Sequence, residues 1–224
     1  MARLLNIAGI VVGLFVLVLQ FVLMVPALIE AGRSYGGAIV DYFSFFTILT
    51  NILMVITHMA ALFARPAFFR RASVRGGVLA ATALVVLVYW TILKDLWHPT
   101  GMLRLSDVIL HAGAPAILLL WWLLDGADGQ LSYRQIPSWM IYPVAYVGYA
   151  MIRAPIAGEV PYPFLDVTAN GWLTVIATIL IIAAVFVAMS AVIVLLDRLA
   201  GKGRRSTVAG ERLTQSQNGR MHSR

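Results

Sequence analysis

The 224-residue chain has no cysteine, which excludes disulfides, thiolate nucleophiles and thiolate metal sites. It is also poor in charge. Only 12% of its residues are Asp, Glu, Lys or Arg, against about a quarter in an ordinary soluble domain. So thin a polar coat cannot cover a water-facing surface, and 61% of the chain is hydrophobic. Most of the outside must therefore face lipid. The net charge of +7 would suggest nucleic acid in a soluble protein. Here the basic residues gather in a few loops and the C-terminal tail, with no aromatic interleaving, so no nucleic-acid partner is expected. No internal repeat or inverted symmetry of the kind common in transporters is visible.

What the chain does have is long apolar runs. A membrane-spanning helix needs roughly 20 mainly apolar residues. Six segments meet this, at about 4–28, 39–64, 78–93, 105–124, 136–152 and 171–196. The first is too long for the roughly 7–15-residue apolar region of a signal peptide, so it reads as a span. Lipid cannot satisfy bare backbone groups, so each span must be helical. Of the 17 basic residues, only Arg33, Lys94, Arg104 and Arg153 fall in the loops opposite the N-terminus. Positive residues mark the cytoplasmic side. The fold class is thus all-α, a polytopic bundle of six transmembrane helices over residues 1–200, with both termini cytoplasmic. Residues 201–224 read as a disordered basic cytoplasmic tail whose arginines meet anionic headgroups.

Polar groups at membrane depth are costly and face a partner or a cavity. On the second span Ser44, Thr47, Asn51 and His58 share one helical stripe. Such groups also serve simply as hydrogen-bonding glue between helices. On the fourth span Asp107 and His111 stand one turn apart, so the carboxylate can orient or charge-stabilise the imidazole. Pro115 would leave the His111 carbonyl without its intrahelical partner. Gly113 and its flanking alanines permit close approach of a helix or ligand. Ser44 and His111 lie at similar depth near the outer face, as a hydroxyl–imidazole pair would require. Asn51 is placed to donate to a developing oxyanion. His58 lies about 20 Å farther down and is a poor partner for His111. Phe43, Phe45 and Phe46 are candidates for an acyl groove, though lipid-facing packing explains some of them.

The third span ends in Lys94, Asp95, Trp97 and His98. The fifth ends in Arg153, followed by Glu159 and the Tyr162-Pro163-Phe164-Leu165-Asp166 loop, which can cap the bundle or lie in the aromatic belt. Trp121 and Trp122 read as belt residues of the inner end. With His222 in the tail and the other histidines at different depths, neither a metal site nor a haem is expected, and no cofactor.

The string Tyr42-Phe-Ser44-Phe-Phe-Thr47-Ile-Leu-Thr50-Asn51, His111 with Pro115, and Tyr162-Pro163-Phe164-Leu165-Asp166 resemble the androgen-induced family of six-helix membrane proteins. The resemblance covers roughly Tyr35 to Trp172. Animal members of that family hydrolyse fatty acid esters of hydroxy fatty acids through an intramembrane Thr and a His. It implies a lipid-ester hydrolase with His111 as base. The family's Thr falls on Ser44, a departure, with Thr47 as the alternative nucleophile. Asp107 and Asn51 would support them, and Phe43, Phe46, Tyr162 and Phe164 would contact substrate. It further implies a bacterial relative in the cell (inner) membrane, with membrane lipids and a lipid ester as its partners. A small-solute carrier or channel along the polar stripe, or a non-catalytic assembly protein, are the other readings of the same residues.

Overall fold

A computed structural model describes residues 1–96, 98–158 and 160–201. Trp97, Glu159 and the tail with His222 lie outside the described residues, as does the reading of the tail as disordered. Within them the chain is helical and contains no strand. The elements are α1 (Ala2–Glu30), α2 (Tyr35–Phe43), α3 (Phe46–Phe63), α4 (Ala72–Leu93), α5 (Gly101–Gly126), α6 (Ile136–Ala157) and α7 (Val167–Gly201). Five of these, α1, α3, α4, α5 and α7, are long and apolar enough to cross a membrane. This is the make-up of a helical membrane protein.

The outward faces of the helices are apolar. Val11, Leu14, Phe15 and Val18 of α1 and Leu173, Leu180 and Ile181 of α7 are all exposed. Such a surface suits hydrocarbon and would be costly in water. The interior instead collects the hydroxyls, amides and imidazoles, including Thr47, Thr50, Asn51, His58 and Ser106.

Two expected spans differ from a simple helix. The second is broken: α2 stops at Phe43, Ser44 caps it, and extended Phe45 (φ −86°, ψ 127°) starts α3. Ser44 therefore does not share one continuous stripe with Thr47, Asn51 and His58. The fifth, α6, has 22 residues, a length of about 33 Å. It falls short on composition, because Tyr142, Tyr146, Tyr149 and Arg153 interrupt it. Those tyrosines turn their hydroxyls inward, to Thr50 (3.0 Å), the Ser44 carbonyl (2.9 Å) and the Ser44 hydroxyl (2.7 Å).

The four outlying basic residues sit where helices α1, α4, α5 and α6 begin or end on one side of the bundle. There Asp41 bridges Arg33 (2.9 Å) and Arg153. The opposite end is closed by Asp197 of α7. Its carboxylate accepts the backbone N–H groups of Asp128 (3.0 Å) and Leu131 (2.8 Å). Arg75 of α4 pairs with Asp128 at 2.7 Å. Trp121 and Trp122 are core residues rather than belt residues, each 2% exposed, because they turn into the hydrophobic core, where Trp121 meets His58 of α3.

Helix α1 rests on α3 through small residues, as membrane helices do when backbones must come close. Gly9 lies against the His58 imidazole and Gly13 against Val55; a Cβ at either would overlap its neighbour. His58 is fixed by the Asn6 side chain (2.9 Å) and packs edge-on against Trp121. It is thus held inside the bundle rather than at the inner interface. Gly9→Ala should destabilise the bundle by about 1–3 kcal/mol, the usual cost of overpacking. Adding His58→Ala should recover part of that loss. Thermal unfolding of the single and double variants in detergent measures both. Independent, additive losses would mean that the two residues do not press on each other.

Candidate active site

The break at Ser44–Phe45 creates a helix start inside the bundle. Thr47 lies in the first turn of α3, where N–H groups have no partner within the helix. Its N–H reaches the Tyr162 oxygen at 3.3 Å. Its Oγ1 lies 3.4 Å from His111 Nε2 and 3.3 Å from the Tyr162 oxygen. The residue that meets the imidazole is therefore Thr47, not Ser44.

Ser44 is occupied elsewhere. Its hydroxyl donates to the Val40 carbonyl at 2.6 Å, so it accepts from Tyr149 at 2.7 Å. The physical reason is the helix break. It leaves Ser44 as the cap of α2, where a serine hydroxyl turns back to the carbonyl four residues earlier.

His111 is oriented from three sides. Nδ1 faces the Asp107 carbonyl at 2.9 Å and Asp107 Oδ1 at 3.2 Å. Both are acceptors, so Nδ1 carries the proton and Nε2 presents its lone pair to Thr47. Tyr89 stacks on the ring with centroids 3.8 Å apart and donates its hydroxyl to Asp107 Oδ2. Both Tyr89 and His111 stand on π-helical turns, Tyr89–Leu93 and Ile109–Gly113. Such turns re-aim side chains and recur at functional sites.

The π turn also moves the backbone gap made by Pro115. Ala114 N–H bonds to the Ile109 carbonyl, five residues back. In that register the partner of the Leu110 carbonyl is Pro115, which has no N–H. The gap thus falls at Leu110, one residue before the expected His111. Asn51 fills it: Nδ2 donates to Leu110 O (3.3 Å) and to Thr47 O (2.9 Å). The Asn51 amide protons thus lie on these two carbonyls and brace the helices, rather than standing free for an oxyanion.

Beside Thr47 lies an apolar pocket of about 600 Å³, including its open mouth. Phe46, Val85 and Leu93 line it from α3 and α4, Val147 from α6, and Ile179 and Ile182 from α7. Tyr162 and Phe164 close it, stacked at 5.3 Å. Phe46, Tyr162 and Phe164 therefore stand at the pocket. Phe43 does not: it is 43% exposed and touches Tyr42 on the lipid-facing side, because α2 ends before the pocket begins. Burial pushes the Tyr162 phenol above its usual range, so it stays protonated. Among the described residues no group of three or more carboxylate or imidazole side chains gathers at one point, so none is placed to hold a metal ion.

Tyr89, Tyr146 and Tyr149 are site residues that the sequence reading missed. A signal was present. Tyr142, Tyr146 and Tyr149 recur at helical spacing within one helix, an inward stripe of hydroxyls. Comparison of the chain with known protein families, with curated proteins and with solved structures yields no match.

Proposed function

We propose that the protein is an intramembrane hydrolase of lipid esters, with Thr47 as nucleophile and His111 as base. The observation that carries this reading is the line Thr47 Oγ1, His111 Nε2, His111 Nδ1, Asp107, beside an apolar pocket. At 3.4 Å the hydroxyl–imidazole contact is loose, as catalytic hydrogen bonds often are without substrate. Thr47 Oγ1 attacks the acyl carbonyl and passes its proton to Nε2. The tetrahedral intermediate collapses, the C–O bond to the alcohol breaks, and His111 returns the proton to the alkoxide. Water, activated by the same imidazole, then releases the acid.

The apolar walls suit an acyl chain, and the site's place inside a helical bundle suits a substrate entering from the membrane. The resemblance to the androgen-induced family places its Thr on Ser44 rather than Thr47, but it supports a hydroxyl–His pair in kind and brings fatty acid esters of hydroxy fatty acids as the first substrates to try. In this reading α6 is the sixth span, both termini are cytoplasmic and the site lies in the outer leaflet of a bacterial inner membrane. A carrier would need polar groups through the full depth. Instead, His58 is locked to Asn6 and wedged against Gly9.

The direct test is covalent trapping. The purified protein in detergent is treated with a long-chain alkyl fluorophosphonate and the adduct is mapped by mass spectrometry. Modification of Thr47 is the expected result. No adduct, or an adduct only on Ser44, would overturn the assignment of Thr47 as nucleophile.

A further inference from the structure

With Asn51 committed to two carbonyls, an acyl transfer at Thr47 needs another donor for the developing oxyanion. We infer that the Tyr162 hydroxyl is that donor, a catalytic residue contributed by the loop between α6 and α7. This rests on the hydrolase reading and goes one residue further than it.

The directions of the hydrogen bonds carry the inference. His111 Nδ1 faces two acceptors, so Nε2 is bare and accepts the Thr47 hydroxyl proton. The Tyr162 oxygen already accepts the Thr47 N–H. The phenol proton then has two acceptors in reach, Thr47 Oγ1 at 3.3 Å and the oxygen of Tyr146, and from either it can turn to a carbonyl oxygen arriving beside Thr47. When Oγ1 spends a lone pair on the acyl carbon, the carbonyl electrons move to the oxygen one bond angle from Oγ1. The phenol proton turns to that oxygen. Tyr162 donates a hydrogen bond and keeps its proton throughout, so the transfer between Thr47, His111 and the leaving alcohol stays balanced.

The ring is held where this needs it. It stacks on Phe164 and meets Phe45 and Tyr146 edge-on, at 5.9 and 6.2 Å. Proline on each side, Pro161 and Pro163, fixes φ and limits how the loop can move. Tyr162 also lines the acyl pocket, so its hydroxyl and the pocket address the same substrate. Tyr146, the neighbouring phenol, sends its proton to the Ser44 carbonyl and has none for the reaction.

The test compares Tyr162→Phe with the unmodified protein. The readouts are kcat, KM and the affinity of two ligands. One is a long-chain trifluoromethyl ketone, which forms a tetrahedral oxyanion on the nucleophile. The other is an ether of the same length, which does not. The expected result is a kcat loss of about 100-fold with KM within about threefold. The ketone should weaken by a similar factor while the ether is unchanged. A kcat within threefold of the parent, or equal weakening of ketone and ether, would overturn the assignment, since a packing role moves both ligands alike. Should Tyr162→Phe fold poorly, difluorotyrosine at 162 replaces it and keeps the hydroxyl. Because a phenolate cannot donate, the alkaline fall of kcat should then move to lower pH; an unmoved profile counts against the role. A parent protein with no turnover at all would instead remove the hydrolase reading beneath it.

Discussion

Thr47→Ala and His111→Ala should each cut turnover of a long-chain fluorogenic ester by at least about 1,000-fold, while Ser44→Ala stays within about tenfold of the parent. The size follows from how nucleophile and base act. Each is useless without the other, so removing one costs nearly what removing both costs. The double variant Thr47→Ala/His111→Ala should accordingly be no worse than either single one. The contrast with Ser44 is the sharper part. Both hydroxyls are buried and stand three residues apart, yet only one has an imidazole as partner. Thr47→Ser should retain activity, since it keeps the oxygen. Initial rates on protein of matched monodisperse yield decide the matter. Full activity in Thr47→Ala, or loss in Ser44→Ala equal to that in Thr47→Ala, would sink the Thr47 assignment.

The bundle was legible because hydropathy follows from one constraint, that lipid leaves no partner for bare backbone. Five of the six expected spans are present as long apolar helices, with ends that shift by a few residues. The residues of the candidate site could be singled out in the sequence, but not which of them stand together. Thr47, His111, Asp107 and Tyr162 could be picked out as polar or aromatic residues in unusual places. Which hydroxyl meets the imidazole depends on the Ser44–Phe45 break, and nothing local announces it. The segment contains no Gly or Pro, and Ser-Phe-Phe reads as continuous helix. The break is supported from elsewhere in the chain, by Tyr146 donating to the Ser44 carbonyl and Tyr149 to its hydroxyl. The π turn at His111 had one local signal, Pro115, whereas the one at Tyr89 had none. Asn51 was read as a donor to substrate because the carbonyl it serves is exposed only once that turn forms.

The break also depends on what anchors α2, and there Asp41→Ala should be the most damaging change to stability outside the core. The Asp41 side chain is 6% exposed and lies between the guanidinium groups of Arg33 and Arg153, whose side chains are 30% and 11% exposed. Removing one member of a buried ionic group leaves its partners desolvated without their counter-charge, at a cost of about 3–5 kcal/mol. Arg33 is partly in contact with solvent, so the lower end, about 3 kcal/mol, is the fitting figure here. Asp41→Asn keeps the shape but not the charge and should fall between. Because Asp41 ties α2 to the end of α6, the loss should reach the site. Tyr146 and Tyr149, on the same helix as Arg153, are what hold Ser44 and the start of α3. Two readouts test this. The thermal midpoint in detergent should drop by on the order of 10 °C, and the folded fraction that remains should bind the fluorophosphonate more slowly than the parent. Added salt should change the parent's midpoint little, since a buried cluster is weakly screened. A midpoint within a degree or two of the parent would mean that the two arginines are well enough served without the carboxylate, and that the other contacts of α2, the Tyr42 hydroxyl on the Leu17 carbonyl and the tyrosine bonds to Ser44 among them, suffice to hold it.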